Sequence, residues 1–262
     1  AKYGLAIMMA LVLFSVLLKR SRRLIMRLQG VHFEAMMPGS DFVAGKKPPC
    51  QVEVYSYGIL MNRFVGYGLR VGNMCVLPLH VVNSVISDGS QLIICGKSPQ
   101  GVKATVALTT PPFVSRVHPD VCYIPVTNDT WTKLGITSAE LSSVCYKGLV
   151  HCFGQNGSTV GNIMNSPQSL GMVIYGGSTV PGMSGSAYYV GSKVYGMHIG
   201  NLCNKNTGVS SVLLAMELKR LVVPEAMTYS SSYPSTDTAD DVMSAWDLED
   251  LAEHTKQAYQ EE

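Results

Sequence analysis

The sequence predicts an all-β domain between residues 51 and 223, folded as a sandwich or as a pair of small barrels. Short apolar runs alternate there with clusters of glycine, asparagine, serine and proline, a pattern typical of short strands joined by turns. No long stretch with helical periodicity competes with this pattern inside the region. The number of runs suits two small barrels. The predicted strands are 52–57, 64–71, 75–82, 91–95, 104–108, 121–126, 149–153, 171–175, 186–190, 193–199 and 211–214.

Residues 1–31 are predicted to form a membrane-anchoring segment. Residues 4–18 carry no charge and are followed by a basic run over residues 19–23, as in an apolar helix that stops at a basic membrane face. A hydrocarbon core of about 30 Å needs roughly 20 helical residues. We therefore expect either that sequence upstream of Ala1 completes a transmembrane helix or that the segment lies in the interface. A buried soluble helix is the alternative.

The segments that flank the strand-rich region are predicted to be linkers and a tail. Residues 32–50 are rich in glycine, proline and lysine, which indicates a linker. Residues 224–241 are dominated by serine, threonine, tyrosine and aspartate and are too polar to bury a core, so we expect a flexible linker. Residues 242–262 are acidic and are interpreted as a tail or as one short amphipathic helix.

The composition excludes several function classes. A formal net charge of +2 gives no global electrostatic reason to expect direct nucleic-acid binding. The seven cysteines are scattered and contain no Cys-x-x-Cys pair, so neither a zinc site nor a disulfide framework is indicated. A reducing, cytosolic setting fits this pattern. No metal or cofactor is expected.

Residues 179–185, Thr-Val-Pro-Gly-Met-Ser-Gly, have the form of a turn that presents a nucleophilic serine. A serine hydroxyl needs a base to remove its proton and N–H groups to receive the oxyanion. Gly182 allows the backbone to turn tightly, so its N–H and that of Ser184 can point at one oxygen. By itself the pattern is also compatible with an ordinary glycine-serine turn between two strands.

A base and an orienting acid are predicted from strand ends. His80 lies between two apolar runs, and Asp120 directly precedes the apolar run 121–126. Such a carboxyl group can hold the tautomer of a histidine that serves as a base. His118 and His151 lie in the same region but not at such a position, and a structural or surface role is expected for both.

The order His80, Asp120, Ser184 resembles that of the chymotrypsin-fold proteases, and in particular the serine proteases of sobemovirus and polerovirus polyproteins. Their motif Thr-x-x-Gly-x-Ser-Gly is matched at every defined position, by Thr179, Gly182, Ser184 and Gly185. The resemblance covers roughly residues 51–223. It implies two six-stranded antiparallel β-barrels and a serine endopeptidase in which Ser184 attacks, His80 transfers the proton and Asp120 orients His80.

The same resemblance implies a substrate preference. In the related viral proteases, a threonine and a histidine placed like Thr179 and His198 line the pocket for the residue that precedes the cut. Their O–H and N–H groups can bind a carboxyl or carboxamide oxygen, which implies cleavage after Glu or Gln. Two departures from the pattern stand out. Pro78 replaces a small residue before the histidine and could shift the strand that presents His80, and Ser186 replaces a common glycine.

The layout of the chain resembles that of a viral polyprotein with a membrane segment, a protease and a genome-linked protein. The residues around Trp246 look like a reordered form of the Trp-Ala-Asp signature of such genome-linked proteins. The expected partners are therefore a polyprotein substrate cut in cis and in trans, a host membrane and a genome-linked protein, with the protease domain facing the cytoplasm. Two alternatives are a cellular membrane-anchored trypsin-like protease and a catalytically inactive β-barrel binding module.

Overall fold

The computed structural model describes residues 34–59, 61–98, 100–202 and 204–221. These ranges are mostly β-structure, so the predicted all-β class is confirmed. The strands are β1 (Gln51–Ser56), β2 (Arg63–Val71), β3 (Met74–Pro78), β4 (Leu92–Lys97), β5 (Lys103–Leu108), β6 (Phe113–Val114), β7 (Val121–Pro125), β8 (Glu140–Leu141), β9 (Gly148–Gly154), β10 (Gly157–Asn165), β11 (Met172–Tyr175), β12 (Ala187–Val190), β13 (Lys193–Leu202) and β14 (Lys205–Ser210). The helices are α1 (Leu79–Ile86), α2 (Asn128–Leu134) and α3 (Ser211–Leu221).

The first sheet has seven strands in the order β5-β4-β1-β2-β3-β7-β6, and its pairs are antiparallel. Its strands turn one face toward an apolar core that also receives α1 and α2. Alternation of buried and less buried residues in β1 and β5 fits strands with one face inward. This core holds the half of the molecule that carries His80 and Asp120.

The second sheet closes into a six-stranded barrel. Strands β12, β9, β10, β11, β14 and β13 pair in that order, and β12 also pairs with β13, which closes the ring. The short strand β8 adds to β13 in parallel, a departure from the antiparallel pattern expected. Closure leaves no free edge among the six barrel strands. Ser184 and His198 both belong to this half.

A shared apolar cluster joins the two sheets. It contains Leu69, Val76 and Tyr123 from the first sheet together with Met197 and Val209 from the second, all buried. The apolar face of α3 completes it through leucines that contact the barrel side. Because the cluster is continuous, the turn with Ser184 and the helix with His80 are held in a fixed relation.

Of two predicted strands, one is wrong in part and the other entirely. The predicted strand 75–82 ends at Pro78, and α1 begins at Leu79, because the valines at 81, 82 and 85 have helical spacing and are buried. The predicted strand 211–214 is the first turn of α3. The sequence does not predict strands β6, β8, β10 and β14: β6 and β8 have only two residues each, and the buried positions of β10 and β14 are largely small or polar residues.

The predicted membrane segment at 1–31 and the linker and tail after residue 223 lie outside the described residues. Within the part of the chain that the structure describes, none of the helices is both long enough and apolar enough to cross a bilayer. Residues 34–50, predicted as a linker, form no named strand or helix, and Val43 bridges to Ser158 of the barrel. The six described cysteines are free thiols.

Candidate active site

Asp120 contacts His80 through both carboxyl oxygens. Asp120 Oδ2 lies 2.6 Å from His80 Nδ1, and the backbone N–H of His80 donates to Asp120 Oδ1 at 2.8 Å. When the ring is neutral with its proton on Nδ1, the Nε2 lone pair is free to accept a proton. About one third of each side chain is exposed, 35% for His80 and 30% for Asp120. The two side chains therefore form a preoriented and accessible acid–base pair.

Pro78 explains how the chain presents His80. It is the last residue of β3 and the N-cap of α1, with φ of −64° and ψ of 132°. A proline suits this place because its ring fixes φ near −65°. The next two N–H groups, of Leu79 and His80, both donate to Asp120. The proline thus positions the first turn of the helix and does not displace His80 from Asp120.

The turn before Asp120 is held by a buried carboxyl group on α3. Glu217 accepts hydrogen bonds from Ser115 Oγ at 2.6 Å, Tyr123 Oη at 2.6 Å and the Arg116 N–H at 2.7 Å. Ser115 Oγ in turn accepts the N–H of His118 at 3.0 Å. Burial is the largest cause of the raised pKa of Tyr123, and the Glu217 contact adds to it, so this phenol stays protonated.

His118 completes that turn. Its Nδ1 accepts the backbone N–H of Asp120 at 3.1 Å, which requires this nitrogen to be unprotonated. Burial lowers the pKa of His118, and the negative charges of Asp120 and Glu217 oppose this shift in part. His118 therefore has a structural role, as expected: it holds the backbone of Asp120, the predicted orienting acid.

The turn with Ser184 requires glycine at two places. Gly182 has φ of 98° and Gly185 has φ of 87°, both in the left-handed region that other residues avoid. A Cβ at Gly185 would also overlap the carbonyl oxygen of Tyr67 in β2. The glycines therefore let the turn pack directly against the first sheet.

The same region approaches the helix of His80. A Cβ at Gly66 would lie 2.9 Å from the Ser184 carbonyl oxygen and 3.2 Å from a methyl of Val81, the residue after His80. The Tyr67 N–H donates to the Ser184 carbonyl at 2.8 Å. Strand β2 thus lies between the serine turn and α1 and brings both to one place.

Two N–H groups of the serine turn are available for a ligand. The N–H groups of Met183, Gly185 and Ser186 donate to backbone carbonyls within the fold. Those of Gly182 and Ser184 have no acceptor among the described residues. These are the two groups that the sequence predicts for an oxyanion hole.

No hydrogen bond joins Ser184 Oγ to His80 within the described ranges. Ser184 is 7% exposed, and its hydroxyl is not tied to another side chain there. Hydrogen bonds between such a pair are often long without substrate and tighten when it binds. The candidate triad, defined as His80, Asp120 and Ser184, therefore has its base and acid paired and its nucleophile on an adjoining turn.

A cleft of about 480 Å³ opens beside His80 and Asp120, and Ser184 is not among the residues that line it. Its first wall is made of His80, His118 and Asp120, and its second wall consists of residues of the barrel half. The second wall includes Ser169, Leu170, Met172, Ile199, Gly200, Asn201, Leu202 and Thr207. A cleft with the acid–base pair on one side and an extended strand on the other suits an extended peptide chain.

The structure brings the two predicted pocket residues to one buried site, together with Asn206. Thr179 Oγ1 donates to Asn206 Oδ1 at 2.7 Å. His198 lies behind the serine turn, because its carbonyl accepts the Gly185 N–H at 2.7 Å. Thr179 is 1% exposed, and His198 and Asn206 are fully buried. We refer to these three residues as the candidate pocket.

Both ring nitrogens of His198 have partners. Nδ1 lies 2.6 Å from the hydroxyl of Tyr188, and Nε2 lies 2.8 Å from Oε2 of Glu34. Burial raises the pKa of Tyr188 well above its usual value, so its hydroxyl keeps its proton and can donate to His198. His198 is therefore oriented by one tyrosine and one carboxyl group.

Asn206, Tyr188 and Glu34 were not predicted as site residues. Tyr188 lies in β12, which pairs with β13, the strand of His198. In the sequence it stands in an apolar run, and nothing there distinguishes it from other strand residues. Asn206 lies in a polar stretch typical of a turn, and Glu34 falls in the predicted linker. No local pattern could have connected Glu34 to a histidine 164 positions later.

No family model matches the chain, and no curated protein matches it significantly. Among solved structures, the serine protease domain of the Sesbania mosaic virus polyprotein is 23% identical, with 68% of this chain and 97% of that chain covered and a TM-score of 0.49.

Two further solved structures are similar at lower identity. The inactivated protease paralogue S-I1 of the scabies mite is 13% identical over 70% of this chain and 98% of that chain, with a TM-score of 0.52. Deg5 is 11% identical over 68% of this chain and 91% of that chain, also with a TM-score of 0.52. Together with the closed barrel and its partner sheet, these similarities show that the chain has the chymotrypsin-like fold.

Proposed function

We propose that the chain is a serine endopeptidase that processes a viral polyprotein by cutting after Glu or Gln. The observation that carries the proposal is the contact of Asp120 with His80 through both carboxyl oxygens. If the His80–Asp120 pair were purely structural, the histidine could be fully buried. His80 instead lines a cleft and lies near the turn of Ser184. The unengaged N–H groups of Gly182 and Ser184 support the same function.

In the proposed reaction, His80 Nε2 removes the proton of Ser184 Oγ as the oxygen attacks the scissile carbonyl carbon. The N–H groups of Gly182 and Ser184 receive the developing oxyanion, and Asp120 stabilises the imidazolium. His80 then donates that proton to the leaving amine, whose C–N bond breaks to leave an acyl-enzyme. Water, deprotonated by His80, hydrolyses the ester and restores the Ser184 hydroxyl.

The proposed substrate preference is supported by the chemistry of the candidate pocket. Thr179 Oγ1, His198 Nε2 and Asn206 Nδ2 can each donate a hydrogen bond to a side-chain oxygen. A carboxyl group already lies against His198 Nε2, that of Glu34. A Glu or Gln side chain of a substrate presents the same oxygen chemistry.

The motif resemblance also supports a cellular setting. We propose that residues 1–31 tether the protease to a host membrane, with the domain on the cytoplasmic side. Substrates would be junctions of the polyprotein in cis and in trans, and residues 242–262 would belong to a genome-linked protein. Co-fractionation of the full chain with membranes, compared with a chain in which the residues at 8–14 are replaced by Ser, tests the tether.

The catalytic proposal is tested with the full chain and a fluorogenic peptide library that varies the residue before the cut. Ser184→Ala should lower kcat by about 10⁶-fold, since the nucleophile is lost. Ser192→Ala, at an exposed serine, is the matched control and should leave kcat unchanged. Cleavage that persists in Ser184→Ala, or a preference for basic residues before the cut, would contradict the proposal.

A second candidate function is a catalytically inactive module that binds peptides in the cleft. The observation that favours it is the missing hydrogen bond between Ser184 Oγ and His80 within the described ranges. A fluorophosphonate probe separates the two functions, because only an activated serine reacts with it. Labelling at Ser184 that is lost in His80→Ala supports the protease; an unlabelled wild-type chain supports the module.

A further inference from the structure

The candidate pocket is occupied by the protein's own chain. Glu34 places its carboxyl group inside the fold, where its side chain is 4% exposed and its Oε2 lies 2.8 Å from His198 Nε2. This is the nitrogen that the proposed function assigns to the substrate. A carboxyl group from the segment ahead of β1 thus lies where a substrate carboxyl or carboxamide would bind.

The residue after Glu34 contacts the other two residues of the candidate pocket. The Ala35 N–H donates to Asn206 Oδ1 at 2.9 Å, and Asn206 Nδ2 donates to the Ala35 carbonyl at 2.8 Å. The same carbonyl accepts the Thr179 N–H at 3.0 Å. All three residues of the candidate pocket therefore contact either Glu34 or Ala35.

The chain that follows is fastened to the barrel at several points. Met37 exchanges two hydrogen bonds with Ser178 Oγ, at 2.7 and 3.1 Å. Ser40 Oγ accepts the Ser178 N–H at 2.9 Å, and Val43 pairs with Ser158 through two backbone bonds. These contacts keep Glu34 and Ala35 next to the pocket at a high effective concentration, because the tether is short.

The fit of Glu34 is incomplete. Its second oxygen, Oε1, is buried and has no hydrogen-bond partner among the described residues. An unpaired buried oxygen is unfavourable, so the occupied state is weaker than one in which every oxygen is bound. A substrate side chain that engaged Thr179 Oγ1 and Asn206 Nδ2 as well as His198 would not carry this cost.

We propose that Glu34 and Ala35 form a plug that closes the candidate pocket in cis, and that substrate binds only when the plug leaves. The inference rests on the proposed function, since it assigns the pocket to the substrate side chain. The plug and the substrate both require His198 Nε2 and Asn206 Nδ2, so their binding is mutually exclusive. Apparent affinity for substrate is then reduced by the fraction of molecules whose pocket is open.

Peptide binding tests the plug without catalysis. In a full chain carrying Ser184→Ala, the dissociation constant of a fluorescent peptide that ends in Glu is measured by anisotropy. Adding Glu34→Ala should tighten binding at least tenfold, the factor for a pocket open in about one tenth of molecules. Met36→Ala is the matched control, because Met36 is 64% exposed; it should change nothing. Binding by Glu34→Ala that is equal, weaker or absent would overturn the plug and make Glu34 part of the pocket wall.

Hydrogen exchange gives a second measurement that needs no Glu34 variant. Saturating the Ser184→Ala chain with the same peptide should speed exchange of the Ala35 amide at least tenfold, because its acceptor on Asn206 is lost. An Ala35 amide that exchanges at the same rate or more slowly contradicts the plug. Failure of the proposed function is a separate result: no fluorophosphonate labelling of Ser184 and no cleavage, whether or not Glu34 is present.

Discussion

The candidate triad and the candidate pocket lie on the same β-barrel protease fold but differ in accessibility. His80 and Asp120 are each about one third exposed, and two N–H groups of the serine turn are unengaged. Thr179 and His198 are buried, and the Thr179 hydroxyl and both ring nitrogens of His198 have partners within the chain. The groups proposed for bond cleavage are therefore accessible, whereas the side chains proposed for recognition are buried and already hydrogen-bonded.

The candidate triad and the candidate pocket are held by different parts of the molecule. The His80–Asp120 contact depends on the first sheet, α1 and the turn before β7. The pocket depends on the barrel and on residues 34–40. Substitutions in the first group should therefore act on kcat, and substitutions in the second on KM.

The largest effect on the chemical step is expected for Asp120→Asn. The amide would favour the wrong tautomer of His80, because its N–H₂ group can face Nδ1 and leave the proton on Nε2. We expect kcat to fall by about 10⁴-fold with KM little changed. Steady-state kinetics on a peptide with Glu before the cut measures this. Asp88→Asn, in an exposed pair with Arg63, is the control, and an effect of Asp120→Asn on KM alone would show that Asp120 belongs to recognition.

Thr179→Val tests the opposite region. Valine keeps the shape of the side chain but removes the hydroxyl group, which is proposed to donate a hydrogen bond to the substrate oxygen. We expect kcat/KM to fall by about 10- to 100-fold, chiefly through KM, because one bound oxygen loses its partner. Thr110→Val, at an exposed threonine, should have no effect. A fall in kcat as large as the fall in kcat/KM would mean that the two regions are not separable.

The sequence predicts the candidate triad better than it predicts the contacts of the candidate pocket. The triad order, the glycines of the serine turn and the placement of His80 and Asp120 at strand ends come from local patterns, and the structure places them close together. The α1 helix was mistaken for the end of a strand, since its valines are β-branched and follow an apolar run. His80, predicted within the strand 75–82, lies instead in the first turn of α1, where it still contacts Asp120.

The long-range contacts at the candidate pocket and in the turn before Asp120 could not be predicted. Glu34 meets His198, Glu217 meets Ser115 and Asn206 meets Ala35 across more than 100 positions in each pair. Such contacts depend on the path of the chain between sheets and leave no periodicity or spacing in the sequence. The predicted linker at 32–50 has the composition of a loop, yet hydrogen bonds connect its described part, from residue 34 onward, to the barrel.

Glu217→Ala tests whether the buried carboxyl group of Glu217 holds the turn before Asp120. The change leaves Ser115 Oγ, Tyr123 Oη and the Arg116 N–H without their acceptor, so we expect a loss of about 2–3 kcal/mol in unfolding free energy. Loosening of the turn before Asp120 should also lower kcat by roughly tenfold. Chemical denaturation and kinetics measure the two effects. Glu217→Gln keeps one acceptor oxygen and should recover part of both, which loss of packing alone would not explain.

The smallest expected effect concerns His118 and pH. Burial lowers the pKa of this histidine in the folded protein, whereas it is near 6.5 in the unfolded chain. The unfolded chain therefore binds more protons as pH falls through this range, so stability is full above about pH 6.5 and declines below it. Protonation would also prevent Nδ1 from accepting the Asp120 N–H. His118→Asn, which keeps an acceptor at that place, should flatten the decline in unfolding free energy between pH 7 and pH 5.5. His151→Asn, at an exposed histidine, should leave the decline unchanged, and an equal slope in His118→Asn and wild type would assign the decline to other groups.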